Sequence, residues 1–380
     1  MVAAGSLREV AGLFLRLGIT AFGGPAAHIV MMRDEVVERR HWLSDEEFLD
    51  LLAATNLIPG PNSTELAIHL GYKRAGTAGL LVAGSCFILP ACLIVSGLSW
   101  GYVRYGSTPQ FNWLMYGVGP AIIAIVGQAL WKLGKNAIKG PLAAALGMLI
   151  AGLSLAGWNE LGLLALGGVV MTASRLRQRD IITGAIATIA GSAAAFAQTV
   201  VTANVPVTLT RLTLFFLKVG SVLFGSGYVL LAFLRADLID RWAWLTEQQL
   251  IDAVTIGQVT PGPVFTTATF IGYLVAGWAG AALATIGIFA PGFFFVAMSR
   301  PVIPRLRDSA ITSALLDGLV VASLGLMAAV TWHLGRSAII DIPTTGLAAA
   351  ALVLLNTIRP NSTWLVVGGA VAGWLLQRGA

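Results

Sequence analysis

Two short stretches carry the side chains best suited to chemistry. Pro59-Gly60-Pro61 is followed at once by Asn62, Ser63, Thr64 and Glu65; at an offset of 202 residues, Pro261-Gly262-Pro263 is followed by Thr266 and Thr267. A Pro-Gly-Pro triplet stops a helix, because proline removes backbone donors and glycine is conformationally free. A helix restarting after it offers free N–H groups and the positive end of its dipole, which suits an oxyanion. Asn62, Ser63 and Thr64 equally suit ordinary helix caps, and a cap leaves other N–H groups free. Asn56 and Gln258 hold equivalent places just before the breaks and could add amide donors. Glu65 has Thr267 as its counterpart. If buried, this lone carboxyl is a candidate proton carrier; if wet, it is a first-turn Glu in the helix dipole.

Two cations form a second matched pair. Arg16 and Lys218 are equivalent and stand inside apolar runs. Thr20, Gly23 and Gly24 follow Arg16 at i+4, i+7 and i+8, which predicts one helix face. Ser221, Gly225 and Ser226 relate similarly to Lys218. A charge within a span is a functional signal by default; the alternative is snorkelling to the interface. The matched acids Asp50 and Asp252 are predicted to make structural salt bridges, with these cations or with nearby arginines. His28 and His69 could relay protons, although a lone histidine is more often structural. No catalytic or metal-ligating set emerges. The four histidines are scattered, Cys86 and Cys92 share one apolar run, and HExxH, GxSxG and nucleotide-binding glycine loops are missing. The reading is therefore not an enzyme, with no cofactor and no metal.

The elements that must position these groups are membrane helices. The chain has 380 residues, 57% hydrophobic and 11% charged, with mean hydropathy +0.81. Apolar runs long enough to cross a bilayer recur at Thr77–Trp100, Phe111–Trp131, Ile181–Val201, Leu212–Leu234 and Gly277–Met298. They are apolar on every side, which argues against a β-barrel's alternation. The fold class is all-α, polytopic and membrane-embedded. No cleavable leader is evident in the first residues. The net charge of +6 comes from short clusters between spans, an inner-membrane topology signal rather than a nucleic-acid one.

An internal repeat organises the chain. Phe14–Thr64 aligns without gaps on Phe216–Thr266, and Gly71-Tyr72, Gly76, Gly79 and Pro90 return as Gly272-Tyr273, Gly277, Gly280 and Pro291. Two homologous halves follow, 1–201 and 202–380; the later part of each defies alignment. Each copy has a charged connector, Arg33–Glu47 or Arg235–Gln249, predicted as an interfacial amphipathic helix anchored by Trp42 or Trp244. Paired, interrupted helices in matching positions point to a transporter's binding site, so the two breaks are expected to face each other there. If Asp45–Tyr72 is one broken crossing, there are thirteen spans and inverted repeats. If it is a re-entrant hairpin, there are eleven spans and parallel repeats. The distribution of Lys and Arg satisfies both equally.

The stretches FLRLGITAFGGP, RHWLSDEEFLDLLAATNLIPGPNSTELAIHLGY and GQVTPGPVFTTATFIGY resemble the chromate ion transporter family in its two-domain form. The resemblance covers nearly the whole chain. It implies export of chromate from the cytoplasm of a bacterium or archaeon, antiport driven by the proton gradient, and chromate resistance. It also implies an odd number of spans with oppositely oriented halves, which favours thirteen. Its partners would be chromate or a related oxyanion, protons and the lipid bilayer; a homodimer is left open. Sulfate or another anion, and an anion channel, are the competing readings.

Overall fold

Glycine, proline and capping residues decide where each helix stops. The computed structural model describes residues 7–106, 108–177, 206–224, 229–299, 310–358, 360 and 362–378, and every regular element among them is helical. The first copy comprises α1 (Leu7–Thr20), α2 (Gly24–Arg33) with a π-helical continuation (Asp34–Arg39), α3 (Asp45–Thr55), α4 (Asn62–Tyr105), α5 (Pro109–Ala137), α6 (Pro141–Leu155) and α7 (Glu160–Arg177). The second comprises α8 (Leu209–Val222), α9 (Leu230–Phe233) with its π-helix (Leu234–Arg241), α10 (Glu247–Val259), α11 (Thr267–Ser299), α12 (Ala310–Ala338), α13 (Ile342–Thr357) and α14 (Ser362–Arg378). Among the described residues, four segments are long and apolar enough to cross a membrane: Asn62–Tyr105, Phe111–Ala137, Val264–Ser299 and Ile311–Ala338.

The connector is not one interfacial helix. Each copy passes from its π-helix through a left-handed residue, His41 (φ 50°) or Ala243 (φ 52°), and restarts at a capping box. Ser44 pairs reciprocally with Glu47, and Thr246 with Gln249, so a new helix must begin there. Glu47 lies below the usual carboxylate range because the Ser44 N–H and then Lys73 hold its charged form. The apolar run Leu212–Leu234 is likewise interrupted, since α8 ends at Val222. The run Ile181–Val201 and the boundary between the halves lie outside the described residues.

α4 and α11 are not straight. Ala75-Gly76 and Ala276-Gly277 leave helical geometry, and each helix folds back on itself there. A Cβ on Gly79 would stand 2.1 Å from the Gly71 carbonyl oxygen, and one on Gly280 2.1 Å from that of Gly272. Residues eight apart are about 12 Å apart in a straight helix. The arms 62–75 and 77–105 are therefore antiparallel, as are 267–276 and 278–299. We call them α4a, α4b, α11a and α11b.

The same reversal occurs at the Pro-Gly-Pro breaks. Glu47 at the start of α3 pairs with Lys73 at the end of α4a at 3.0 Å. Laid end to end, the two helices would hold those residues more than about 35 Å apart. Asp45–Tyr72 is thus a hairpin with the break at its tip, which corrects the single broken crossing favoured above. α1 and α2 double back too. Glu9, at the start of α1, accepts hydrogen bonds from Arg40, Trp42 and Arg74.

The halves nevertheless have opposite orientation. α4b runs about 43 Å from its turn at Gly76. Near its far end the Tyr102 hydroxyl donates to Asp252 of α10 at 2.7 Å. The second copy's hairpin therefore enters from the opposite end of α4b. Neither span model joined hairpins to inverted repeats, because neither folded α1 against α2.

The later helices, too divergent to align, repeat in the structure. α5 and α12 have matching ends displaced by 201 residues. They are exchanged between copies. α5 packs on α14 and α13, and α12 packs on α7 and α6. Glycines permit the contact: a Cβ on Gly117 would meet the Gly369 carbonyl oxygen at 2.0 Å, and one on Gly318 that of Gly167 at 2.2 Å. The copies interlock rather than sit side by side.

Gly79→Ala should prevent closure of the α4 hairpin, because the atom it meets is backbone. Its melting temperature in detergent is expected to fall well below that of Gly97→Ala, where a Cβ meets nothing within 4 Å.

Candidate functional site

The breaks are held by a reciprocal pair of backbone hydrogen bonds. Gly60 N–H donates to the Leu223 carbonyl at 2.8 Å, and Gly262 N–H donates to the Ala21 carbonyl at 2.9 Å. Ala21 and Leu223 are equivalent residues just past the ends of α1 and α8. Each hairpin tip thus docks on the first helix of the other copy. Gly60 (φ 136°) and Gly262 (φ 84°) occupy backbone regions that other residues rarely adopt. Depth follows from the neighbours. A Cβ on Gly262 would meet Ala91, midway along α4b, and one on Gly292, well inside α11b, would meet Glu65. The tips lie halfway along the long apolar helices.

At the first break Pro59, Gly60, Pro61, Ser63, Thr64 and Glu65 are buried. Pro61 is the N-cap of α4, and no side chain caps the helix. Asn62, Ser63 and Thr64 therefore do not serve as its caps. Asn62 instead donates to the exposed Asn56 at 2.8 Å across the hairpin. Thr64 Oγ1 and both Glu65 carboxyl oxygens are buried without a hydrogen-bond partner. Glu65 is 0% exposed.

His28 joins this group, which spacing alone did not assign. Its Nε2 contacts the Ala21 carbonyl at 3.1 Å and its Nδ1 the Ser63 hydroxyl at 3.3 Å. A carbonyl only accepts, so Nε2 carries the proton and the neutral ring's Nδ1 accepts from Ser63. Ala21 thereby receives both His28 and the opposite break.

The second break is more apolar. Leu230, Phe265 and Thr267 stand where the first copy has His28, Ser63 and Glu65. Pro261, Gly262 and Pro263 are buried. The Thr266 and Thr267 hydroxyls donate to the Pro263 and Val264 carbonyls, both at 2.8 Å. Gln258 is buried, whereas its counterpart Asn56 is exposed.

The cations lie on a different face. Arg16 is exposed and pairs with Glu35 of the first π-helix at 2.6 Å; Lys218 pairs with Asp237 of the second. Glu35 also receives Arg39 and Arg40, and Asp237 receives Arg241. Arg16 and Lys218 do not pair with the matched acids: Asp252 is bound by Tyr102 and Gln248 instead. Thr20 donates to the Arg16 carbonyl and Ser221 to the Leu217 carbonyl. Gly23 (φ 105°) and Gly24 (φ 78°) break the helical register, so the i+7/i+8 spacing does not carry them onto the face of Arg16. Gly225 and Ser226 lie outside the described residues. Two larger cavities are apolar. One, of about 600 Å³, lies between α5, α6 and α12; the other, about 420 Å³, lies between α4b and α11b. Neither is lined by a predicted site residue.

The family model described as chromate transporter matches residues 8–205 and again 210–374. The chain belongs to the chromate transporter family. It is a multi-pass membrane protein of that family, with two copies of the family unit. It is similar to the chromate transport protein of Cupriavidus metallidurans, 32% identical over 96% of this chain and 92% of the relative. It is also similar to the probable chromate transport protein of Synechococcus elongatus, 32% identical over 97% and 95%. The chromate transport protein of Pseudomonas aeruginosa is 30% identical over 96% and 91%. No solved structure matches the chain.

The two cation pairs should differ in weight. Lys218→Ala leaves Asp237, 1% exposed, with Arg241, whereas Arg16→Ala leaves Glu35 with two arginines. Thermal unfolding in detergent should show the larger loss for Lys218→Ala.

Proposed function

We propose that this chain is a secondary active transporter that exports chromate from the cytoplasm, coupled to the proton gradient, and so confers chromate resistance on a bacterial or archaeal cell. The observation that carries the reading is the first break: an uncapped helix start halfway through the apolar layer, with Thr64 and Glu65 buried and unpartnered beside it. A tetrahedral dianion needs donors and positive potential with little bulk. The N–H groups of Asn62 and Ser63 supply both, since that of Thr64 is already bound to the Pro61 carbonyl. Glu65 is the proton carrier. Antiport requires proton and anion to take the site in turn. The Glu65 carboxyl lies against Gly60 at the break, so an anion enters only when that carboxyl moves aside, and this alternation couples opposite fluxes.

The names of the relatives support chromate as substrate. The sequence halves 1–201 and 202–380 are the two inverted units. The membrane side bearing Lys73, Arg74, Lys132, Lys135, Lys139 and Arg175 is cytoplasmic, by the excess of basic residues there. Asn56 and Asp50, on the hairpin that enters from that side, are exposed while Gln258 and Asp252 are buried, which fits a cytoplasm-open state. Because the later helices are exchanged, alternating access moves the paired hairpins against the interlocked outer helices, not one sequence half against the other. Arg16 and Lys218, each held in an ion pair on another face, lie outside this proposed site. Sulfate, also a tetrahedral dianion, is the competing substrate.

Inverted vesicles containing the chain should accumulate labelled chromate when their lumen is acidified, and excess sulfate should inhibit weakly. Glu65→Gln should lose the dependence on the gradient more than it loses chromate binding. Accumulation of sulfate alone would replace the substrate; equilibration without accumulation would indicate a channel.

A further inference from the structure

A second buried carboxyl sits in a polar cavity that the transport site does not include. The cavity, about 300 Å³, lies at the far end of α4b, between α5, α10 and the junction of α12 with α13. Its polar lining includes Tyr102, Asn112, Tyr116, Gln248, Asp252 and Ser337. That volume holds several waters. Asp252 is 3% exposed. Tyr102 O–H donates to one of its oxygens at 2.7 Å, and Gln248 Nε2–H to the other at 2.9 Å.

The charged groups around it are otherwise engaged. Asp341, before α13, accepts from Tyr116 at 2.6 Å. Glu247 pairs with Arg235 at 3.0 Å and also accepts from Ser337. Both hydrogen-bond donors to Asp252 are neutral. A carboxyl held by neutral donors beside water can gain and lose a proton without breaking an ion pair. Thr255 and Gln258 follow Asp252 down α10, both buried, and α10 ends at the second break. The arrangement belongs to one copy only: the matching Asp50 is exposed.

We infer that Asp252 and its cavity form the outer proton-binding site, which takes a proton from water on the outward face and delivers it towards the breaks. This rests on the proton-coupled reading above. The step is protonation of the carboxylate by cavity water and later release on the Thr255–Gln258 side; only O–H bonds form and break. Tyr102 and Gln248 are positioning residues that hold the carboxyl against the cavity.

The test uses the full chain in inverted vesicles, whose lumen corresponds to the outward face. Labelled chromate is followed in two assays: accumulation driven by an acid lumen, and chromate–chromate exchange without a gradient. Asp252→Asn should lose the gradient-driven component while exchange falls far less, and Asp50→Asn should retain both. Tyr102→Phe keeps the carboxyl but removes a donor to its charged form. Its accumulation should persist, with the pH profile moved to higher pH. Wild-type coupling in Asp252→Asn, or equal loss of both activities with an unmoved profile in Tyr102→Phe, would overturn the inference. A wild-type chain that exchanges chromate but never accumulates it removes the coupled reading itself.

Discussion

Two backbone hydrogen bonds, Gly60 to Leu223 and Gly262 to Ala21, hold the centre of this structure together. A Pro-Gly-Pro break frees peptide groups halfway through an apolar layer, where water cannot satisfy them. Each such group left alone would cost several kcal/mol. The protein satisfies these two glycine N–H groups by placing each break on the unravelled end of the other copy's first helix. Once that exchange is made, the copies cannot lie apart. The opposite entry of the hairpins, the depth of the tips and the close approach of α4b and α11b follow from it.

The exchange is symmetrical in backbone but not in side chains. His28, Ser63 and Glu65 surround the first break, while Leu230, Phe265 and Thr267 surround the second. The same backbone constraint is therefore met twice, and the buried ionisable chemistry is present once. Thr266 and Thr267 spend their protons on carbonyls of their own break, which stabilises it and leaves less to offer an ion. The unpartnered Thr64 and Glu65 do the opposite. A buried polar atom without a partner costs free energy, and this cost at Thr64 and Glu65 is the reason we propose the first break as the transport site.

The outer helices impose a second constraint. Gly117 against Gly369 and Gly318 against Gly167 bring helices from different copies to backbone contact. Packing so close is sensitive to any added atom, and it ties each copy's later helices to the other's. This interlocking is what leads us to propose that alternating access moves the hairpins against the outer helices.

Much of this was legible in the residues. The apolar runs gave an all-α membrane protein, the offset of 202 residues gave two units, and the paired prolines and glycines gave the breaks. Glu65 stood out because its counterpart is not acidic. The capping boxes at Ser44 and Thr246 were readable too, and they mark the helix starts that divide the connectors. Other features depended on distance across the fold. Reversal at Gly76 and pairing of Glu47 with Lys73 turn a broken crossing into a hairpin, and no local pattern separates the two. The engagement of Arg16 and Lys218 by Glu35 and Asp237, rather than by Asp50 and Asp252, depends on how α1 folds against the π-helix. His28 looked like an isolated histidine because Ser63 is 35 residues away in sequence and meets it only in space. Local chemistry, fixed by residue type and spacing, was therefore set by the sequence. Which halves exchange partners, and which carboxyls are left alone, was decided by tertiary packing, because burial and hydrogen-bond satisfaction are properties of what surrounds a group.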